Sequence, residues 1–235
     1  MGTPLPAERA PLKVFTSNAT RTVLDTLAAM YEREYGQRVA VHSDSASVML
    51  SRIRDGETAD VAVLNAPDIE ALVKLGMIHS ARAFARSRIG VAVRAGARHP
   101  DIGSVDALKR ALLEADSIAH TVHGASGKLV PALLERLGIA NEVTTVTRPG
   151  GLIGKVVAAG EAEIAIQQIS ELLAVSGVEV VGPLPDALQT VLESAAGIFT
   201  GSDNAQAAQA LLRFFSASAS AAVLREKGLE PAPPV

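Results

Sequence analysis

A chain of 235 residues, 48% apolar and 20% charged, suits one large domain or two lobes of about 100 residues each, and disorder is not expected as its main state. A formal net charge of −3 lacks the basic footprint of a protein held to nucleic acid or anionic membrane by overall charge. Cysteine is absent, which excludes disulfides, thiolate metal sites and cysteine nucleophiles, and an aromatic share of 3% argues against a stacking platform for sugars or bases.

Residues 1–11 hold no apolar stretch of the kind a secretory signal needs. The expected location is periplasmic where such a signal has been removed and cytoplasmic otherwise. No run of eighteen apolar residues occurs, so no spanning helix is expected. Leu12 to Thr16 reads as a strand. A helix follows to Tyr35, with Val23, Leu27, Met30 and Tyr31 at spacings of three and four, and Gly36 as its C′ residue. Arg38 to His42 is a second strand, Ser43 to Ser47 a polar turn, and Val48, Leu50 and Ile53 mark a helix towards Gly56. Asp60 to Leu64 is a strand with the continuous apolar run of one buried on both faces, and Pro67 to Gly76 a short helix.

Ser87 to Arg94 then leaves this first unit. A second alternation follows: a helix from Val105 to Glu114, a strand from Ser117 to Val122, the turn His123 to Gly127, and a helix to Gly138. A strand from Val143 to Thr147 leads through Arg148-Pro-Gly-Gly151 to a helix ending near Gly160. Glu163 to Ile166 and Val178 to Val181 are further strands, and Leu188 to Phe199 is an extended stretch able to run back to the first unit. Helices over Asn204 to Ser216 and Ala219 to Lys227 close the chain, before a loose tail. Such alternation with short connections predicts α/β lobes, each with a mostly parallel sheet flanked by helices. Lobe 1 is expected from residues 1–84 plus 196–235 and lobe 2 from 85–195, with two crossing strands as the hinge and a ligand cleft between.

Four polar turns stand at strand-to-helix junctions: Ser17-Asn18-Ala19-Thr20, Ser43 to Ser47, Gly124-Ala125-Ser126-Gly127, and Pro149-Gly150-Gly151. Free N–H groups and the helix dipole favour anions at such junctions, and α/β proteins collect ligands there. Taken singly, a Ser or Thr before a helix is more often simply its N-cap. Four such turns on two lobes make a set of neutral donors able to surround one small anion.

The order of Phe15-Thr-Ser17, Ser45-Ala-Ser47 and Ile53-Arg-Asp-Gly56-Glu-Thr-Ala-Asp-Val61 resembles the molybdate-type periplasmic solute-binding proteins. Gly56 to Asn65, read as G-x-x-A-D-V-x-x-x-N, is the most telling piece. Gly124 to Gly127, Leu137-Gly-Ile139 and Val157-Ala-Ala-Gly160-Glu161 extend the match over about residues 12 to 228. The resemblance implies a type II periplasmic-binding fold. It implies donation from Ser17 and Ser47 in the first lobe, and from the Gly124–Gly127 turn and the helix start at Gly151 in the second. Asn18, Ser45, Ala125, Ser126, Arg148 and Gln168 complete the expected ligand set. The family carries a tyrosine shortly after the strand that follows its Gly-Glu pair. Here Gln167-Gln168 stand there, which moves the expected ligand from molybdate towards a small carboxylate. The segments Gln167 to Leu173 and Gly182-Pro-Leu-Pro185 are similar to a divergent branch of these proteins that includes aconitate isomerase, an enzyme on the same scaffold.

Two functions follow. One is a solute-binding component of an ABC-type transporter that captures a small anion, with a membrane permease as partner. The alternative is an isomerase of a small polycarboxylate. A proton shift needs a base near the carbon acid, and His123 and Glu171 are the candidates. Arg148 could grip a carboxylate bidentately, with Lys128 and His42 as further charged candidates. His120 and His123 face opposite sides of a strand, so no metal site is expected from them. No Gly-x-Gly-x-x-Gly, phosphate loop or nucleophile elbow occurs, and no cofactor is expected. Nucleic acid is not an expected partner, and a monomer is the expected state.

Overall fold

The structure, a computed structural model, describes residues 10–233. β1 (Leu12–Ser17) is almost wholly buried. It runs into α1 (Asn18–Tyr35), which buries Val23, Leu24, Leu27, Ala28 and Tyr31 along one face. Gly36 ends that helix at φ 66°, a left-handed conformation that glycine adopts without a Cβ clash, and its N–H donates to the Glu32 carbonyl. β2 (Val39–Asp44), α2 (Ala46–Arg54), β3 (Val61–Asn65) and α3 (Ala66–Lys74) repeat the unit, with β1 parallel to both β2 and β3.

β4 (Ile78–Arg94) is a single strand of 17 residues that serves both lobes. α4 (Val105–Glu114), β5 (Ile118–Thr121), α5 (Ala125–Leu137), β6 (Thr145–Arg148), α6 (Gly154–Ala158), β7 (Ile164–Gln168), α7 (Ile169–Leu173) and β8 (Val178–Pro183) form the second lobe. β9 (Val191–Phe199), α8 (Ala205–Phe215), α9 (Ser218–Glu226) and β10 (Leu229–Pro231) return to the first. The sheet order is β2-β1-β3-β9-β4-β7-β5-β6, with β8 and β10 also paired to β4. Up to Arg88, β4 pairs antiparallel with β9, whereas from Ile89 it pairs with β7. β5 lies parallel to β6 and β7. Two apolar clusters flank the first lobe's sheet, one around Val23, Leu27 and Phe215, the other around Phe15, Met49 and Leu72. In the second lobe the corresponding clusters centre on Leu108, Leu112 and Leu134, and on Ile153, Val157 and Leu172. Burial of these faces drives the fold. No single helix among the described residues is long and apolar enough to cross a membrane.

Three local differences from the sequence reading matter. β4 begins at Ile78 rather than Ser87. Its first stretch carries register shifts between His79/Arg82 and Ala83/Ala85, and Ser80 sits at φ 53°, so no clean two-residue period marks it. Ser43 and Asp44 extend β2 and pair with Thr16 and Ser17 instead of turning. β7 runs on through Gln167 and Gln168 directly into α7, a helix too short to announce itself by periodicity. At Gly127 a Cβ would stand 2.6 Å from the Val122 carbonyl oxygen, so only glycine lets α5 start this close to the end of β5.

Candidate functional site

One cleft gathers six strand-to-helix junctions. β1–α1 contributes Ser17, Asn18 and Ala19, β2–α2 contributes Ser45 and Ala46, and β3–α3 contributes Asn65. From the second lobe come Thr121, His123 and Gly124 of β5–α5, Gly151 ahead of α6, and Gln167, Gln168 and Glu171 of β7–α7. The cleft is narrow, a cavity of about 30 Å³ between the two lobes. The lobes meet over it: a Cβ at Gly150 would lie 3.9 Å from Ser45 Cβ, and α1 touches α7.

The N-termini of α1, α2, α3 and α5 all open on this space. Each presents unpaired N–H groups and the positive end of its dipole. Ser17 is the N-cap of α1, yet its hydroxyl makes no capping bond. Asn65 likewise leaves α3 uncapped and donates from Nδ2 to Asp68 Oδ2 at 2.9 Å. Ser45 does cap: its Oγ accepts from the Val48 N–H at 3.4 Å. Thr121 Oγ1 is buried on the cleft wall and has no hydrogen-bond partner. No lysine or arginine lines the cleft among the described residues.

Behind the wall, Gln167 is 1% exposed and works as a clamp. Its Oε1 accepts from the Ile153 N–H and its Nε2 donates to the Gly151 carbonyl, both at 2.8 Å. That holds the turn before α6 in place. Gln168 Nε2 donates to Glu171 Oε2 at 3.2 Å. Burial pushes the Glu171 carboxyl up to about 8, against the opposing effect of that Gln168 bond. At neutral pH it is therefore chiefly the neutral acid, a donor as well as an acceptor.

The expected ligand residues divide as follows. Ser17, Asn18, Ser45, Gly124, Gly151 and Gln168 line the cleft together, with His123 and Glu171. Ser47 stands exposed on α2 outside the lining, its Oγ 3.3 Å from Ser45 Oγ. Arg148 is also outside: its Nη2 pairs with Glu161 and its Nη1 donates to the Thr147 carbonyl at 3.0 Å. Ala125 and Ser126 lie in the first turn of α5, and their side chains fall outside the described residues. Lys128 is exposed and His42 is exposed edge-on to Phe15, neither in the lining. His120 is buried elsewhere, with Nδ1 2.8 Å from the Thr121 carbonyl.

Sequence reasoning passed over Asn65, Thr121 and Gln167. A signal existed for two of them. Asn65 closes the G-x-x-A-D-V-x-x-x-N segment at a strand end, and Thr121 ends a buried strand as Ser17 does. The Asp60 of that segment has a structural part: Oδ2 accepts from the Lys13 N–H at 2.8 Å and Oδ1 from Ser202 Oγ at 2.6 Å, tying β1 to the loop before α8.

The model of the bacterial extracellular solute-binding protein family matches residues 12–230. Aconitate isomerase from Pseudomonas sp. is 31% identical over 231 residues, which cover 94% of this chain and 88% of that protein. The periplasmic molybdate-binding protein of Azotobacter vinelandii has the same fold, with a TM-score of 0.76 at 18% identity over 95% of this chain and 100% of that one. The sulfate-binding protein SubI of Mycobacterium tuberculosis H37Rv aligns at a TM-score of 0.74 and 19% identity, over 96% of this chain and 88% of that one. With a family match that runs from the first strand to the last, carried on two α/β lobes around a cleft, this chain belongs to the bacterial extracellular solute-binding proteins.

Proposed function

We propose that the chain captures a small anion, a carboxylate in preference to a tetrahedral oxyanion, by closing two lobes over it, and delivers it to a membrane permease of the ABC type. The observation that carries this reading is the convergence of helix N-termini from both lobes on a cleft without lysine or arginine. Neutral donors and aligned dipoles hold an anion there without a counter-charge. In this reading the hinge lies in β4 and β9, between lobe 1, whose described part is residues 10–84 plus 196–233, and lobe 2, residues 85–195. Ser17, Asn18, Ser45, Gly124 and Gly151 supply the grip. The carboxylate preference rests on Gln167-Gln168 standing where the molybdate-type proteins carry a tyrosine, with the neutral Glu171 beside them as a donor to an acceptor-only group.

A second reading is an isomerase that moves a proton on a small unsaturated polycarboxylate. Two titratable side chains, His123 and Glu171, share the cleft, and the aconitate isomerase relative aligns over nearly the whole chain. In that reading one takes the proton from carbon and the other returns one.

A thermal-shift screen against molybdate, tungstate, sulfate, phosphate, citrate, cis-aconitate and trans-aconitate tests the binding reading. A ligand at 100 times its Kd adds about 2.7 kcal/mol of stability. Stabilisation by a carboxylate is expected. Stabilisation by molybdate or tungstate alone overturns the carboxylate preference, and no stabilisation by any of them overturns the anion reading. Incubating cis-aconitate with the protein and following its vinyl proton by NMR separates the two readings: conversion to the trans isomer establishes the isomerase.

A further inference from the structure

We propose that Glu171 enters the complex as a protonated acid that donates a hydrogen bond to the bound anion, so that each captured anion is accompanied by one proton. The inference rests on the anion-binding reading above and assigns the residue that sets its specificity.

The geometry leaves little alternative for an anion in this cleft. Glu171 is 7% exposed and lines the cleft directly. Its one side-chain partner among the described residues is the Gln168 amide, which donates to Oε2. Oε2 is thereby fixed as the accepting oxygen, and the proton belongs on Oε1. An ionised Glu171 would place a second negative charge beside the ligand in a site with no cation to offset it. No other charged side chain of the surrounding elements lines the cleft among the described residues, and several are paired away from it. On α1, Arg21 pairs with Asp25 and also donates to Ser43 Oγ. β7 brings no charged side chain. On β8, Glu179 is bound to His99. On β4, Arg86 pairs with Glu193, and Arg88 with Asp186 and Glu230. At the turn after α9, Lys227 pairs with Glu226. Within the cleft, His123 is the one other titratable lining residue. The desolvation that raises Glu171 supports the same assignment.

The consequence is selection by hydrogen-bonding capacity. The helix N-termini, Thr121 Oγ1 and the Glu171 hydroxyl all donate, so the favoured ligand at these positions is an acceptor-only group: a fully ionised carboxylate or oxyanion rather than its protonated form.

The test is isothermal titration of the full chain with cis-aconitate and, in parallel, with molybdate from pH 6 to pH 9.5. Two buffers of different ionisation enthalpy are used at each pH. Above pH 8 the wild-type Kd is expected to rise about tenfold per pH unit, with about one proton taken up per anion at pH 9. The Glu171→Gln amide donates at every pH, so its profile is expected to be flat in that range and its proton uptake lost, whatever its absolute affinity. Binding whose Kd is flat from pH 6 to pH 9.5 in the wild type overturns the proposal while leaving anion capture intact. A pH dependence that persists in Glu171→Gln and disappears in His123→Asn also overturns it. Absence of binding by both probes at pH 6, with no stabilisation by the other screened anions, removes the anion reading itself. The wild-type proton-uptake measurement decides the matter even if Glu171→Gln does not fold.

Discussion

The two lobes are built from the same strand-to-helix unit but bring different chemistry to the cleft. The first contributes Ser17, Asn18, Ala19, Ser45, Ala46 and Asn65, with no titratable side chain among them. The second contributes both titratable groups, His123 and Glu171, together with the amides of Gln167 and Gln168. Small residues at a helix start expose N–H groups and dipole without adding charge, so the first lobe's lining carries nothing that titrates. On the proposed reading, the second lobe's grip depends on a proton and on a turn that Gln167 holds in place. The cores differ as well: every phenylalanine and tyrosine lies in the first lobe, with Phe15 edge-on to Phe199 and Tyr31 edge-on to Phe214, whereas the second is packed with aliphatic side chains alone. On the proposed reading, the first lobe holds the anion and the second discriminates among anions.

The strongest way to break this contrast is in the first lobe's core. Phe15 is fully buried beneath the cleft, and Phe15→Ala is expected to cost about 3–5 kcal/mol, read as a lower urea midpoint with unchanged slope. The second lobe has its own signature in pH. Glu171 is raised from 4.5 to about 8 in the folded protein, so the native state holds this proton more tightly than the unfolded chain. Its contribution is fully present below pH 4.5 and is lost as pH rises through 8. Relative to the wild type, Glu171→Gln is therefore expected to gain stability between pH 5 and pH 8, by roughly 3 kcal/mol, measured by denaturation at each pH. A constant difference across that range would show that Glu171 ionises freely.

Smaller effects sharpen the division of labour. Gln167→Ala removes both bonds to the Gly151–Ile153 turn and is expected to cost about 1–3 kcal/mol and to weaken anion binding. Gln167→Glu, which keeps an acceptor for the Ile153 N–H, should recover part of that loss. Gly150→Leu places a side chain against Ser45 and props the lobes apart; about tenfold weaker binding at nearly unchanged stability is expected by titration and thermal melting. Arg148→Ala should do least. Its exposed pair with Glu161 contributes under about 0.5 kcal/mol, and affinity should change by less than about twofold. A large loss of affinity would return Arg148 to the ligand set.

Much of this architecture was legible in the residues. The spacing of Val23, Leu27, Met30 and Tyr31 with Gly36 marked α1 and its last residue, though Asn18 to Thr20, read as a turn, form its first turn, and the apolar run after Asp60 marked a strand buried on both faces. The polar junctions at Ser17, Ser45, Gly124 and Gly151 marked the cleft, because side-chain periodicity and helix starts are local properties of the chain. Tertiary structure decided the rest. Ser45 and Ser47 are alike in sequence, yet only Ser45 reaches the cleft, since it is the N-cap at the mouth of α2 while Ser47, two residues on, has turned to solvent. Arg148 and Glu171 are both charged residues beside polar turns; packing left the first at the surface and buried the second. The burial that keeps Glu171 neutral comes from contacts of α7 with α1, β4, β7 and β8, elements spread along the chain. A local pattern records which residues begin helices, whereas the free energy of a charge depends on everything the folded chain brings around it.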